Sequence, residues 1–238
     1  MKTAITDEKK DKLIVSKSDY LVRQAKHELT AKELTLVDFM ISNIKQTDNK
    51  FYTVETTIDE INSICNFGEG GGSSTKNTED ALLSLANKGF YLKLDNGYKT
   101  VARWLDKPYI KDGECKLQLD KDLAPFLLNL SKENHFTQYY FLDVVNLKSI
   151  HAKRIYQLLR SYDYSNEVEL STTEITEALN KTGLEWYRVL NYLRSAVKNI
   201  TKNTSMNVTY NTIKSGRETI AVRFNISMKE RYLIETPQ

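Results

Sequence analysis

The chain has 238 residues, 27% of them charged and 40% hydrophobic, with a formal net charge of +3. That length can bury a real core in one large or two ordinary domains. No apolar run is long enough to span a bilayer, and the polar start MKTAITDEKKDK leads into no apolar segment of a signal peptide, so an unexported, cytoplasmic protein is expected.

Residues 1–17 are charged and aperiodic and read as a mobile arm. From Thr30 a helix is predicted, burying Leu34, Val37, Met40, Ile41 and Ile44. A short extended run, FYTVE, leads to Thr57-x-x-Glu60, the spacing of a capping box, in which hydroxyl and carboxylate satisfy free N–H groups at a helix start. The helix it opens buries Ile58, Ile61, Ile64 and Cys65. The glycine-rich stretch GEGGGSST, Gly68 to Thr75, has no following Lys-Ser/Thr pair and no preceding buried strand, which argues against a phosphate loop and for a flexible turn. A third helix is expected over 75–88, then FYLKL, the turn Asp95-Asn96-Gly97 and YKTVARWL as a β-hairpin wing. A strand, CKLQL, and the segment LAPFLLNL close this half.

The second half repeats the order. A helix over 149–163 buries Ala152, Ile155, Tyr156, Leu159 and Tyr162. EVEL precedes a second capping box, Ser171-x-x-Glu174, opening a helix with Ile175, Ala178 and Leu179. VETTIDEINSICN (54–66) and VELSTTEITEALN (168–180) match at Val, Glu, Glu, Ile and Asn, with Thr against Ser at the cap, at a constant separation of 114 residues. A helix over Glu185 to Lys202 follows, then NVTYNTI, a turn at Lys214-Ser215-Gly216-Arg217, and TIAVRFNI, in which Ile220, Val222, Phe224 and Ile226 alternate with polar residues. Helix, short strand, capped helix, helix and hairpin, twice over, is the order of a winged helix, a helix-turn-helix whose third helix enters the major groove. The expected fold is α+β, two tandem winged-helix domains related by internal duplication. The expected limits are an arm at 1–17, a first domain at 18–130 for dimerisation and backbone contacts, and a second at 131–238 that reads sequence.

The Glu185 helix carries the chemistry. Trp186, Val189, Leu190, Leu193, Ala196, Val197 and Ile200 form its apolar stripe. Arg188, Asn191, Ser195, Lys198 and Lys202 face the other way, with Tyr187 and Arg194 beside them. Arg and Asn pair bidentately with guanine and adenine edges, while Lys and Ser hold phosphates. Trp186 and Tyr192 suit packing better than stacking on bases at this spacing. Between Arg188 and Arg231 nine basic residues stand against two acids, a local charge of +7 that leaves the rest at −4. That asymmetry points to a polyanion, and the helix lacks the large apolar face a membrane surface would require.

Enzyme chemistry has no footing. His27, His135 and His151 are scattered singly, so the adjacent Tyr139 and Tyr140 have no local metal pair to serve a nicking reaction. Cys65 and Cys115 are widely spaced and read as small buried hydrophobes. No metal, cofactor or catalytic residue is expected.

The segments FTQYYFLDVVNLKSIHAKRIYQLLRSYD and GLEWYRVLNYLRSAVKNITKNTSMNVTYNTIKSGRETIAVRF resemble the iteron-binding replication initiators of plasmids, and the likeness extends over 18–226. The glycine-rich loop is longer than the family pattern and unsettles the start of the first domain's third helix. The resemblance implies binding to tandem direct repeats at an origin, melting of AT-rich DNA, and recruitment of a host initiator and replicative helicase. It also implies a monomer on repeats in equilibrium with a homodimer that represses its own gene. Carried onto this chain, it makes Arg188, Asn191, Arg194 and Lys198 base-reading candidates, with Lys214 and Arg217 on the wing. Ser74, Lys76, Asn77, Lys99 and Arg103 of the first domain would chiefly hold phosphate. A winged-helix transcriptional repressor without an initiation role is the alternative.

Overall fold

The computed structural model describes residues 12–229 except 25–26, 46, 69–71, 94–96, 133–134 and 163. The glycine-rich loop's centre, the expected turn residues Asp95 and Asn96, and most of the expected arm lie outside the described residues. The chain divides into two units between Val145 and Asn146.

The first unit opens with strand β1 (Ile14–Ser18) and a short helix α1 (Asp19–Gln24), followed by α2 (Ala31–Ile41). Thr30 and Glu33 close a full capping box on α2, the hydroxyl accepting from Glu33 N at 3.2 Å and the carboxylate from Thr30 N at 2.7 Å. All residues of α2 from Glu33 to Ile41 are buried, so it is a central rather than an amphipathic surface helix. β2 (Val54–Thr57), α3 (Ile58–Ile64) and α4 (Gly72–Asn87) follow. Then come four strands, β3 (Gly89–Lys93), β4 (Lys99–Arg103), β5 (Tyr109–Lys111) and β6 (Glu114–Leu117). A short helix α5 (Ala124–Leu127), strand β7 (Phe136–Tyr140) and α6 (Phe141–Asn146) complete the series.

Two expectations about the unit's limits are corrected here. Residues 14–17 are not arm, because β1 pairs antiparallel with β7 from Ile14↔Tyr140 to Ser18↔Phe136. For the same reason the first unit extends past residue 130, to Val145. Lys17 makes the strand look like polar tail, yet it is buried: its ammonium meets fully buried Asp38 of α2 at 2.5 Å, and Tyr139 OH donates to the same carboxylate at 3.1 Å. A buried charge must be paired, and the partner lies too far along the chain for a local pattern to show it.

The sheets correct the first wing. β6 lies between β2 and β5, whereas β3 and β4 form a separate two-stranded sheet. In the second unit, α7 (Ile150–Arg160), β8 (Glu167–Ser171), α8 (Thr172–Ala178), α9 (Trp186–Asn203), β9 (Met206–Ser215) and β10 (Glu218–Met228) give the order β8-β10-β9. The hairpin equivalent to β9–β10 is therefore β5–β6, not the expected β3–β4. It turns on Asp112 and Gly113, both at positive φ (50° and 79°) as a tight type I′ turn requires.

The internal repeat extends to the helix ends. Thr57 and Ser171 both accept from the N–H three residues on, Glu60 and Glu174. Only the second box is complete, because the Glu60 carboxylate takes the Thr56 hydroxyl instead, at 2.7 Å. At the other end Asn66 and Asn180 hold φ of 52° and 54°. Phe67 N bonds Asn62 O and Lys181 N bonds Thr176 O, each at 2.9 Å, while Asn66 and Asn180 bond the carbonyls of Ser63 and Glu177. That is the same Schellman cap on α3 and on α8. In the first unit Thr78 of α4 donates to Asn62 of α3 at 2.5 Å, tying the two helices.

In the second unit α9 packs against α7 and β9, burying Val189, Leu193, Ala196, Val197 and Ile200. Trp186 and Leu190, expected in the stripe, are only half-buried. Ile220 is 47% exposed rather than inward, because a register shift between Thr219 and Ala221 moves the inward position to Ala221.

Candidate nucleic-acid interface

The α9 helix has 18 residues and is about 27 Å long. Its exposed positions are Tyr187, Arg188, Asn191, Tyr192, Arg194, Ser195, Lys198 and Lys202, and they include no acid. From Arg188 to Lys202 the stripe runs about 21 Å, and a helix about 10–12 Å across fits the roughly 12 Å major groove of B-DNA. Two pairs of side chains are already ordered. Arg188 Nε donates to the Tyr187 hydroxyl at 3.0 Å, and Arg194 Nη1 donates to Asn191 Oδ1 at 3.1 Å. Each arrangement leaves further N–H donors free for an outside acceptor, and ordering before binding lowers the entropy lost on binding.

The first strand of the wing packs against this helix, Thr201 Oγ1 donating to Val208 O at 3.1 Å. Hairpin β9–β10 is paired from Met206↔Met228 to Ser215↔Glu218, but β8 pairs only with Ala221–Asn225 of β10. The distal part is a two-stranded ribbon beyond the three-stranded sheet, turning at Gly216 with φ of 60°. Lys214 and Arg217 sit exposed at this end.

The first unit is built differently. Helix α4 begins at Gly72, three positions before the expected Thr75, so Ser74, Lys76 and Asn77 lie within its first turns rather than at its cap. Lys76 and Asn77 are exposed; Ser74 is half-buried, and its hydroxyl donates to Gly68 O at 3.4 Å. Asp80 and Leu83 share the exposed side of α4, so its charge is balanced where that of α9 is not. Lys99 and Arg103 are exposed on the outer face of β3–β4, together with Tyr91, Lys93 and Val101. The structure does not place them on the topological wing. Lys111 and Lys116 hold exposed positions there, Lys116 paired with Glu55 at 3.0 Å. The Asp-Gly pair in KDGE is the signal that marks this turn.

Sequence reading also passed over a cluster beside α9. The His151 and Tyr192 rings lie 4.6 Å apart, and Lys181 Nζ stands 4.8 Å from the Tyr192 ring. Burial, then the charges of Lys181 and Arg154, hold the His151 imidazole below its ordinary range. Among the described residues, no helix is long and apolar enough to cross a membrane.

Two family models match the chain: "Initiator Replication protein, WH1" over residues 14–160 and "Initiator Rep protein, WH2" over 190–226. The first match begins at the first residue of β1. Among solved structures, the Pi initiator protein in complex with iteron DNA is similar with a TM-score of 0.73 and 16% identity, covering 92% of this chain and 99% of that one. Domains 2 and 3 of RctB are similar with a TM-score of 0.50 and 14% identity, covering 83% and 82%. At these identities the structures establish the fold, two winged helices in tandem.

Proposed function

The chain belongs to the initiator replication protein family, and from that premise we propose that it binds tandem direct repeats (iterons) at a plasmid origin and starts replication there. The observation that carries this reading is the acid-free polar face of α9 beside a projecting cationic ribbon. Arg188, Asn191 and Arg194 read base edges, Lys198 works at the edge of the same face, and Lys214 and Arg217 hold the backbone. Lys76 and Asn77, with Ser74, Lys99 and Arg103, steady the first unit on phosphate; the charge-balanced face of α4 supports this lesser role.

Contacts of this kind orient the protein, and their free energy drives deformation of the neighbouring DNA. Strand opening then passes to a host initiator and replicative helicase, recruited in the cytoplasm. The protein itself breaks no bond and uses no cofactor. It acts as a monomer on repeats, in equilibrium with a homodimer that represses its own gene.

The test is binding of the full chain to DNA flanking its own gene, against a shuffled duplex. Stepwise complexes, one per direct repeat, support initiation. Binding only to a single inverted repeat over a promoter would move the assignment to a repressor. Strand nicking of a supercoiled origin with Mg²⁺ or Mn²⁺ would overturn the non-enzymatic reading.

A further inference from the structure

A helix lying in the major groove has a phosphate wall on each side. One flank of α9 faces the wing: Thr201 Oγ1 donates to Val208 O of β9 at 3.1 Å, and Arg194 lies two turns earlier on that side. The opposite flank carries Tyr192 and Asn199, and there the neighbours are not strand but the start of α7 and the residue after the α8 cap. Those neighbours are His151 and Lys181.

The three side chains are a built arrangement. Tyr192 is 37% exposed, and its ring is met by the imidazole of His151, centroids 4.6 Å apart, and by the ammonium of Lys181 at 4.8 Å. The Lys181 main chain is fixed by its N–H bond to Thr176 O at 2.9 Å, so the ammonium is delivered from an anchored position. Among the described residues Lys181 makes no ion pair. Burial, then the charges of Lys181 and Arg154, hold the His151 imidazole below its ordinary range and so disfavour its charged form, which leaves Lys181 as the cation on the Tyr192 ring. An aromatic ring backing a cation orients it without neutralising it.

We propose that Lys181, held over Tyr192 against His151, grips a backbone phosphate of the DNA strand on the flank of α9 opposite the wing. The two walls of the groove are then held separately, one by Lys214 and Arg217, the other by Lys181, and α9 is centred between them. This rests on the reading that α9 enters the major groove.

The experiment measures the salt dependence of binding to the repeat and to a shuffled duplex for the full chain, Lys181→Met, Lys181→Arg and, as control, Lys214→Ala. Losing one phosphate contact lowers the slope of log K against log salt by about 0.9, which is roughly a fivefold loss at 0.15 M salt. Lys181→Met is expected to show that loss on both duplexes alike, and Lys181→Arg to restore it. A neutral methylphosphonate placed at each backbone position in turn should locate one position that weakens the wild type and leaves Lys181→Met unchanged. If Lys214→Ala lowers the slope while Lys181→Met does not, the second grip is refuted and the groove reading stands. If neither lowers it, the groove reading falls as well.

Discussion

Replacing Asn180 by Ala should destabilise the second unit by about 1–2 kcal/mol, the cost of placing a β-carbon-bearing residue without a compensating local side-chain bond in the left-handed region. Asn180 holds φ of 54°, and the two cap bonds, Lys181 N to Thr176 O and Asn180 N to Glu177 O, both at 2.9 Å, require that conformation. Glycine adopts it freely, so Asn180→Gly should stay within about 0.5 kcal/mol of wild type. The chain has two tryptophans, Trp104 in the first unit and Trp186 in the second. In a Trp104→Phe background, Trp186 fluorescence therefore follows urea unfolding of the second unit alone. A unit of this size should lose about 4–8 °C in melting temperature per kcal/mol. The matched change Asn66→Ala should act on the first unit by a similar amount, since the cap is the same. If glycine costs as much as alanine, the Asn side chain rather than the backbone angle carries the effect, and the argument fails.

Other consequences can be measured in the same way. Burial pushes the Glu33 carboxyl up, but Lys88 at 2.7 Å, the Thr30 N–H and the Ser84 hydroxyl together hold it below its ordinary 4.5. Its contribution to stability is therefore complete above about pH 4.5 and lost as pH falls through the lower folded value. Glu33→Gln should flatten the acid limb of a urea-unfolding series; an unchanged limb would contradict the linkage. Lys17→Met leaves Asp38 buried without its cation and should cost about 3–5 kcal/mol in denaturant unfolding. Lys17→Met with Asp38→Leu should recover much of that, and an equal cost for single and double variants would show that the pair is not the cause. Tyr187→Phe removes the acceptor that orders Arg188 and should weaken binding to the repeat about two- to tenfold while sparing the shuffled duplex. Equal loss on both would make Arg188 a phosphate contact.

What could be read from sequence was local. The polar face of α9, the hydroxyl caps at Thr57 and Ser171 and the Ser171 box depend on neighbours within a turn or two, and the folded chain keeps them; the expected box at Thr57 closes only by half, because the Glu60 carboxylate takes the Thr56 hydroxyl. The box at Thr30, in Thr-Ala-Lys-Glu, is equally local. Three features were not local. β1 is a strand because β7 and Asp38 lie against it from far along the chain. The wing of the first unit is β5–β6 because β6 pairs with β2, and no turn signal reveals which hairpin joins which sheet. Lys181 and His151 meet Tyr192 only after α7, α8 and α9 have packed.

The central claim is that α9 reads sequence, and the ratio of affinity for the repeat to affinity for a shuffled duplex, in wild type and Arg194→Ala, tests it most directly. Arg194 should contribute about 1–3 kcal/mol of discrimination, so the variant's binding to the repeat should fall far more than its binding to the shuffled duplex, at every salt concentration. Equal losses on both would place Arg194 on phosphate. A wild-type protein with no preference between the duplexes would contradict the account itself.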